Sequence, residues 1–242
     1  MTTVAQHYEQ LLAPVYLWMA GGAEAAFRAG ESELDALALP LHQRSVVLDL
    51  GAGFGMHAIP AARRGARVVA IDTSAELLAT LESLRGDLPI RTVNADLLEF
   101  GKHVSEAPDV VLCMGDTITH LPEPALVAQL VRDVASIQTP GGLFVLSFRD
   151  YTVPLQAEQR FIPVRSDDER ILTCFLEYHN GTVQVHDILN QRSPEGWSTS
   201  VSSYSKLRLA PDELTRMLSH CGFEVRREVG LRGMARLVAR RA

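Results

Sequence analysis

Five residues within VLDLGAGFGMHAIPAARRGARVVAID, Val47 to Asp72, have types and spacings suited to holding a ligand: Asp49, Gly51, Gly53, Gly55 and Asp72. Glycine admits positive φ and lets a ligand come close to the backbone. Asp72 lies 21 residues beyond Gly51, at the end of the next apolar run, where a carboxylate can accept both hydroxyls of a ribose. To this point the residues indicate an adenosine-like ligand, with or without a pyrophosphate. Spacing separates the two. The dinucleotide fingerprint G-x-G-x-x-G needs its third glycine at position 56, which is Met56. The actual pattern is D-x-G-x-G-x-G, with Asp49 in the strand just before the turn. That charge repels a pyrophosphate and attracts an ammonium or sulfonium. S-adenosylmethionine (SAM) carries both cations and no phosphate.

With these residues in place, the chain resembles the class I SAM-dependent methyltransferases from about residue 45 through 240. The resemblance implies a Rossmann-like fold and roles for further positions. The Gly51–Gly55 backbone would lie against the methionine part of SAM. Asp72, with Thr73 beside it, would hold the ribose. In NADLLEF, Asp96 would face the adenine amino group and Leu97 would pack on the ring. Met114 and Gly115 would line the methionyl end. Two further segments, LCMGDTITHL (112–121) and SFRDY (147–151), are similar to the glycine/sarcosine-type small-molecule N-methyltransferases. By that match Arg149 is the candidate clamp for an acceptor carboxylate, because a guanidinium fork suits a carboxylate. Asp116 stands where that family commonly has asparagine, which alters the charge preferred nearby.

Methyl transfer is an in-line displacement at carbon, so a protein must supply proximity, alignment and exclusion of water. A base is optional for an amine with a free lone pair and more useful for a hydroxyl. No catalytic triad is needed or visible, and the eight histidines show no metal-ligand spacing. The candidate catalytic set is Asp116, His120 and Arg149. Each has a structural alternative: His120 bonded to backbone at a helix entry, Asp116 capping a turn, Arg149 in a salt bridge to Asp150 or the insertion. His57 follows the glycine turn as an N-terminal helix residue. Tyr8 and Tyr16, with Trp18, form a candidate lid able to face a cation through their rings. Tyr151 and Tyr178, and also Trp197 and Tyr204, are candidate substrate-side or core aromatics.

The elements that position these residues follow from periodicity. Residues 3–39 read as a helical segment broken at Pro14 and at Gly21-Gly22. Strands are expected at 45–50, 67–72, 90–94, 109–114 and 143–148, with helices at 55–64, 74–84 and 123–138 between them. This alternation means a parallel sheet with right-handed crossovers. After Tyr151 the rhythm changes to antiparallel: 170–179, a hairpin turn at Asn180-Gly181, 182–189, and a third extended segment at 197–209. A short helix at 211–220 and two strands, 223–229 and 235–239, complete the chain. The expected fold is α/β, with a seven-stranded mostly parallel sheet, helices on both faces, a helical cap at 1–40 and an antiparallel insertion at about 155–209 in the 41–242 domain.

Composition excludes several classes. A net charge of −6 and a pI near 5.8 argue against a nucleic-acid binder, which needs a basic stripe. The basic stretch from Arg226 to Arg241 is interrupted by apolar residues and reads as a solvated strand edge. Three widely spaced cysteines fit neither a disulfide framework nor a zinc site, and point to free thiols in a reducing compartment. With no signal-peptide pattern and no long apolar run, the expectation is a cytoplasmic protein without membrane or nucleic-acid partners. The insertion covers the substrate side or mediates oligomerisation, a homodimer being one outcome. The function expected is SAM-dependent methylation of a small molecule, an amine or amino-acid-like compound. Three alternatives stand beside it: an O-methyltransferase of secondary metabolism, an enzyme that releases methylthioadenosine from SAM alone, and a non-catalytic SAM-binding partner subunit.

Overall fold

The computed structural model describes residues 3–242, so the first two residues of the expected 1–40 cap lie outside the described residues. Two sheets organise the chain. The first has seven strands in the order β10-β11-β5-β4-β1-β2-β3. Its parallel part contains β1 (Val46–Leu50), β2 (Arg67–Asp72), β3 (Ile90–Asn94), β4 (Val110–Cys113) and β5 (Leu143–Phe148). Strands β1 and β4 are buried nearly throughout, as apolar runs covered on both faces must be. β10 (Phe223–Val229) turns back into β11 (Ala235–Arg241), which runs antiparallel to both β10 and β5. The expected solvated edge at 226–241 is therefore corrected. Only β10 is an edge; β11 lies inside the sheet, with Arg236 buried and ion-paired to Glu228.

Helices α4 (Ala58–Arg63), α5 (Ala75–Arg85), α6 (Pro124–Ile137) and α7 (Pro211–His220) cover the sheet. Ser74 caps α5 by accepting from the Leu77 amide, 3.3 Å away. Helix α4 starts three residues later than periodicity suggests, because Gly55 has φ +92° and the turn extends to His57. One core lies under α3 (Ala23–Leu37), α4 and α5 around Val47, Ile59, Ala70 and Leu81; the other lies under α6 and α7 around Leu48, Val111, Leu130 and Leu146.

The insertion folds as a second, antiparallel sheet in the order β6-β7-β8-β9: Phe161–Ser166, Arg170–Tyr178, Thr182–Ser193 and Gly196–Leu207. Its first strand was not legible from periodicity. Pro163 and a bulge between Pro163 and Arg165 interrupt the alternation there.

The N-terminal segment runs as α1 (Val4–His7), a π turn (Tyr8–Leu12) and α2 (Ala13–Met19). Pro14 does not break it, since it stands in the first turn of α2, where a missing N–H is tolerated. The break comes at Gly21 and Gly22, with φ of +91° and +88°. Leu11, Leu12 and Val15 pack on Leu172 and Leu189, tying this segment to the second sheet. Helix α3 (Ala23–Leu37) passes so close to the glycine turn that a Cβ on Gly30 would sit 2.0 Å from the Met56 carbonyl oxygen.

Candidate functional site

The order of the first sheet reverses between β1 and β4, so the loops leaving these two strands diverge and open a crevice at their carboxyl ends. The glycine turn forms one wall. Gly51 and Gly53 have φ of +73° and +53°, a region that favours glycine. They differ in surroundings. A Cβ on Gly51 would strike Thr117 at 2.4 Å, whereas one on Gly53 would meet only Leu77, at 3.8 Å. Gly115, exposed on the opposite wall, would meet nothing within 4 Å. Gly53 and Gly115 therefore leave open the space that a ligand lying on the backbone would fill.

Asp72 stands at the tip of β2. One carboxylate oxygen accepts from the Gly53 amide and the other from the Ser74 amide, each at 2.8 Å, so the acid is locked to the turn. Burial raises its pKa. Thr73 beside it is exposed. Asp96 is exposed at the end of β3; one oxygen accepts from the Leu98 amide at 2.8 Å, and Leu97 lies half-buried alongside. Met114 is buried beneath Gly115.

Asp49 is buried under the turn, and its Oδ2 has no hydrogen-bond partner. Burial pushes its pKa up to about 6. Behind it His57 is 2.9 Å from Glu33 of α3 through Nε2, so α3 is tied to the residue that ends the glycine turn. Burial opposes a proton on His57, but Glu33 and Asp49 outweigh it and raise its pKa. An orphaned carboxylate oxygen below an open backbone cradle fits a cationic ligand, and an acid at the end of β2 fits a ribose. The residues present accordingly fit SAM.

The opposite end of the crevice is built on the loop after β4. Asp116 has φ +82° and is buried. Its Oδ1 accepts from the Arg149 amide at 2.7 Å. Its Oδ2 accepts from Arg149 Nη1 at 3.0 Å, from the Tyr151 hydroxyl at 3.0 Å and from Lys206 Nζ at 2.8 Å. Burial works against the charge on Asp116, but Lys206 and Arg149 outweigh it and hold the carboxyl well below the usual carboxylate range. Arg149 thus pairs with Asp116, neither with Asp150 nor with the insertion, while its side chain stays 41% exposed.

His120 ends a 3-10 turn, Thr117–His120. Its ring centroid lies 5.8 Å from Tyr8 and 5.6 Å from Tyr204, and these two tyrosines are 6.3 Å apart. Tyr16 joins through Tyr8 at 5.8 Å and reaches Phe54 of the glycine turn at 5.9 Å. The rings therefore bridge the two ends of the crevice. Burial, reinforced by the Lys206 ammonium, pushes the His120 pKa down to about 3, and its Nε2 is buried without a partner. The ring is a neutral imidazole with an unused polar atom.

Other sequence candidates lie elsewhere. Tyr178 packs under the Arg208 guanidinium, which lies 5.6 Å from its ring, and against the apolar cluster that includes Tyr151 and Tyr204, without a ring contact to His120 among the described residues. Trp18 bonds to Asp167 and lies between Arg165 and Arg170. Trp197 is half exposed in β9.

Two participants, Lys206 and His7, escaped sequence reasoning, whereas Tyr204 was expected among the substrate-side or core aromatics. Tyr204 and Lys206 alternate on the inward side of β9, and Lys206 is one of only two lysines in a chain otherwise using arginine. That scarcity, at an inward position of a strand, was the available signal. His7 gave none. It sits on α1, 2.9 Å from Asp187 and 2.8 Å from Ser202, with its ring 4.2 Å from Tyr204, and so docks the N-terminal segment on the second sheet.

Among the described residues no group of three or more His, Cys, Asp or Glu could hold a metal ion, and no helix is long and apolar enough to cross a membrane.

Residues 47–142 match the methyltransferase domain family. The chain is 30% identical over 129 residues to glycine/sarcosine N-methyltransferase of Aphanothece halophytica, covering 52% of this chain and 49% of that one. It is 34% identical over 103 residues to ubiquinone biosynthesis O-methyltransferase of Aeromonas salmonicida, covering 42% of each. The chain thus spans about half the length of the curated relatives it matches. Its fold is similar to that of SAM-bound CalS10, an amino pentose methyltransferase from Micromonospora echinaspora, with a TM-score of 0.74, 19% identity, and coverage of 96% of this chain and 97% of that one. Residues 47–142, which hold the glycine turn that fits SAM and the strands β1 to β4, thus carry the likeness to the methyltransferase domain family, and the whole chain shares the fold of SAM-dependent methyltransferases.

Proposed function

We propose that this chain methylates the nitrogen of a small amine or amino-acid-like acceptor, using SAM. The observation that carries the reading is the ring cluster of Tyr8, Tyr16, Tyr204 and His120, which connects the glycine turn to the Asp116 cluster. When bound, SAM supplies a methyl carbon already activated by its sulfonium. Asp72 would hold the ribose hydroxyls, and Asp49 would offset the cationic charge over the turn. Gly51, Gly53 and Gly55 would let the methionyl part lie on the backbone, with Met114 and Gly115 across from it. Asp96 and Leu97 would face the adenine.

For the acceptor, aromatic faces stabilise the positive charge that grows on a nitrogen as it is alkylated, by about 0.5–2 kcal/mol per favourable ring. The neutral His120 offers Nε2 as a hydrogen-bond acceptor that orients an amine N–H. As a base for a hydroxyl it is poorly suited, since burial and Lys206 oppose its protonation. Asp116 is no better, because three donors hold its Oδ2. Nitrogen, whose lone pair needs no base once the amine is neutral, fits these residues better than oxygen. The N-terminal helices and the second sheet, tied through His7, would exclude water from the transfer.

The test is to incubate the protein with SAM and panels of small amines and phenols, measuring S-adenosylhomocysteine and methylthioadenosine. Acceptor-dependent S-adenosylhomocysteine with amines supports the reading. Turnover with phenols alone, or methylthioadenosine from SAM alone, overturns it.

A further inference from the structure

Two acids and one base lie buried behind the glycine turn, and the function outlined above uses only Asp49. Glu33 of α3 is 2.9 Å from His57 Nε2, with the two side chains 7% and 10% exposed. Asp49 lies buried in β1 with its Oδ2 unpartnered. Helix α3 meets the turn at two places one helical turn apart. At Gly30 its backbone comes so close that a Cβ would sit 2.0 Å from the Met56 carbonyl oxygen. At Glu33 it meets the next residue, His57, through a charged side chain. The close packing at Gly30 holds Glu33 against His57 in an interior where charges act strongly on one another.

The charged groups that face one another here come from several elements. His57 faces Glu33 from α3 and Asp49 from β1. Asp49 faces His57, Asp72 from β2 and the Ala58 amide of α4, and the Cys113 thiol of β4 is close enough for Asp49 to raise its pKa. Arg236 of β11 and the Leu231 amide bear on Glu33. Burial opposes the charge on each of the three. On Glu33 the imidazole outweighs burial, and on His57 Glu33 and Asp49 do. On Asp49 burial prevails, with His57 pulling the other way. The imidazolium that Glu33 holds is thus a cation that favours ionised Asp49.

We infer that Glu33 is a positioning residue for cofactor exchange: through His57 it keeps Asp49 ionised beneath the glycine turn, and so sets how strongly the site prefers SAM to S-adenosylhomocysteine. The inference rests on SAM binding at this turn and needs nothing of the acceptor. In methyl transfer the acceptor's lone pair forms the new bond to carbon, and the C–S electron pair stays on sulfur. The ligand loses its sulfonium charge and keeps its amino and carboxyl groups. An ionised Asp49 therefore attracts SAM more than the product, whereas a protonated one has no charge with which to distinguish them. Without Glu33, His57 loses the partner that holds its proton, Asp49 loses the cation beside it, and Asp49 keeps its own proton to higher pH.

The experiment titrates full-length protein by calorimetry with SAM and with S-adenosylhomocysteine between about pH 5 and 7.5. The variants are Glu33→Gln, Asp49→Asn and the two combined. In wild type the ratio of SAM to S-adenosylhomocysteine affinity should rise with a midpoint near pH 6. Glu33→Gln should move that midpoint up by about one unit. The ratio at pH 6 then falls about fivefold, and most of the loss is regained by pH 7.5. In the Asp49→Asn background, Glu33→Gln should leave the ratio unchanged. If Glu33→Gln folds poorly, His57→Gln removes the same cation and should give the same upward shift. A Glu33→Gln protein that weakens both ligands alike with the midpoint unmoved has lost a structural contact, and overturns the inference. An equal loss of ratio in the Asp49→Asn background overturns it too, while leaving SAM binding standing. Failure of wild type to bind either ligand would instead overturn the reading on which it rests.

Discussion

Replacing Gly53 with alanine separates a turn that packs from a turn that receives a ligand. At Gly53 a new Cβ would face open space, with Leu77 the nearest atom at 3.8 Å. The folding penalty therefore comes from the left-handed backbone, φ +53°, and amounts to roughly 1–2 kcal/mol. In a domain of this size that lowers the melting temperature by about 2–8 °C. If the methionyl part of SAM lies on this backbone, the added methyl occupies its place. Overpacking of this kind costs about 1–3 kcal/mol, or roughly 5- to 150-fold in affinity. Gly51→Ala is the contrasting variant. Its Cβ would press on Thr117 at 2.4 Å and disturb the Thr117 hydroxyl, which donates to the Met114 carbonyl at 2.9 Å. Gly51→Ala should therefore lose more stability than Gly53→Ala. The assay is thermal unfolding of each variant, with calorimetry of SAM and S-adenosylhomocysteine. A folded Gly53→Ala protein that binds both as wild type does would refute the placement of the ligand on the turn.

Asp49 predicts a pH dependence of two opposite signs. Its folded pKa, about 6, lies above the ordinary aspartate value of 3.8, so its contribution to ligand-free stability is fully present below that value and is lost as pH rises through about 6. Binding of cationic SAM favours the ionised form, so affinity should rise between pH 5 and 7 by at most about tenfold per unit; Asp49→Asn should flatten that rise, and an unchanged slope would count against Asp49 as the counter-charge. Asp72→Asn should weaken SAM binding by about tenfold or more and destabilise the turn, because an amide NH2 would meet the Gly53 or Ser74 amide donor-to-donor; thermal unfolding and calorimetry read the two effects. His7→Ala should leave Asp187 buried without its imidazole and lower stability by about 1–3 kcal/mol, seen as faster proteolysis of the N-terminal segment than in wild type. His120→Ala should lower turnover with an amine acceptor, and wild type should show no rate transition near pH 6.5 from this residue, whose pKa is held near 3; a histidine titration in that range that disappears in His120→Ala would show that the ring ionises during turnover.

Much of the fold was legible because its signals are local. The runs of β1, β4 and β5 are buried on both faces, those of β2 and β3 in part, and all are bounded by turn residues, so periodicity alone placed the strands from β1 to β5 and the glycine turn between β1 and α4. The ligand class was also local: Asp49, the three glycines and Asp72 occupy 24 consecutive positions, 49 to 72, and the misfit of Met56 to a dinucleotide fingerprint needs no structure to see. The proposed acceptor end was not local. Asp116, Arg149 and Lys206 are 33 and 90 residues apart along the chain, and only β4, β5 and β9 converging on one corner makes them a cluster. Arg149 could be recognised as a cation, but its partner was decided by that convergence. Lys206 carries no motif, since a single ammonium in a strand acquires meaning only from the carboxylate that tertiary packing sets 2.8 Å away. His120 was visible as a polar residue after a strand, but its neutrality follows from the aromatic rings and the cation that long-range folding gathers around it. Short-range order thus sets what the backbone can hold, whereas charge balance in a buried corner is a sum over groups distant in sequence and exists only once the chain has closed on itself.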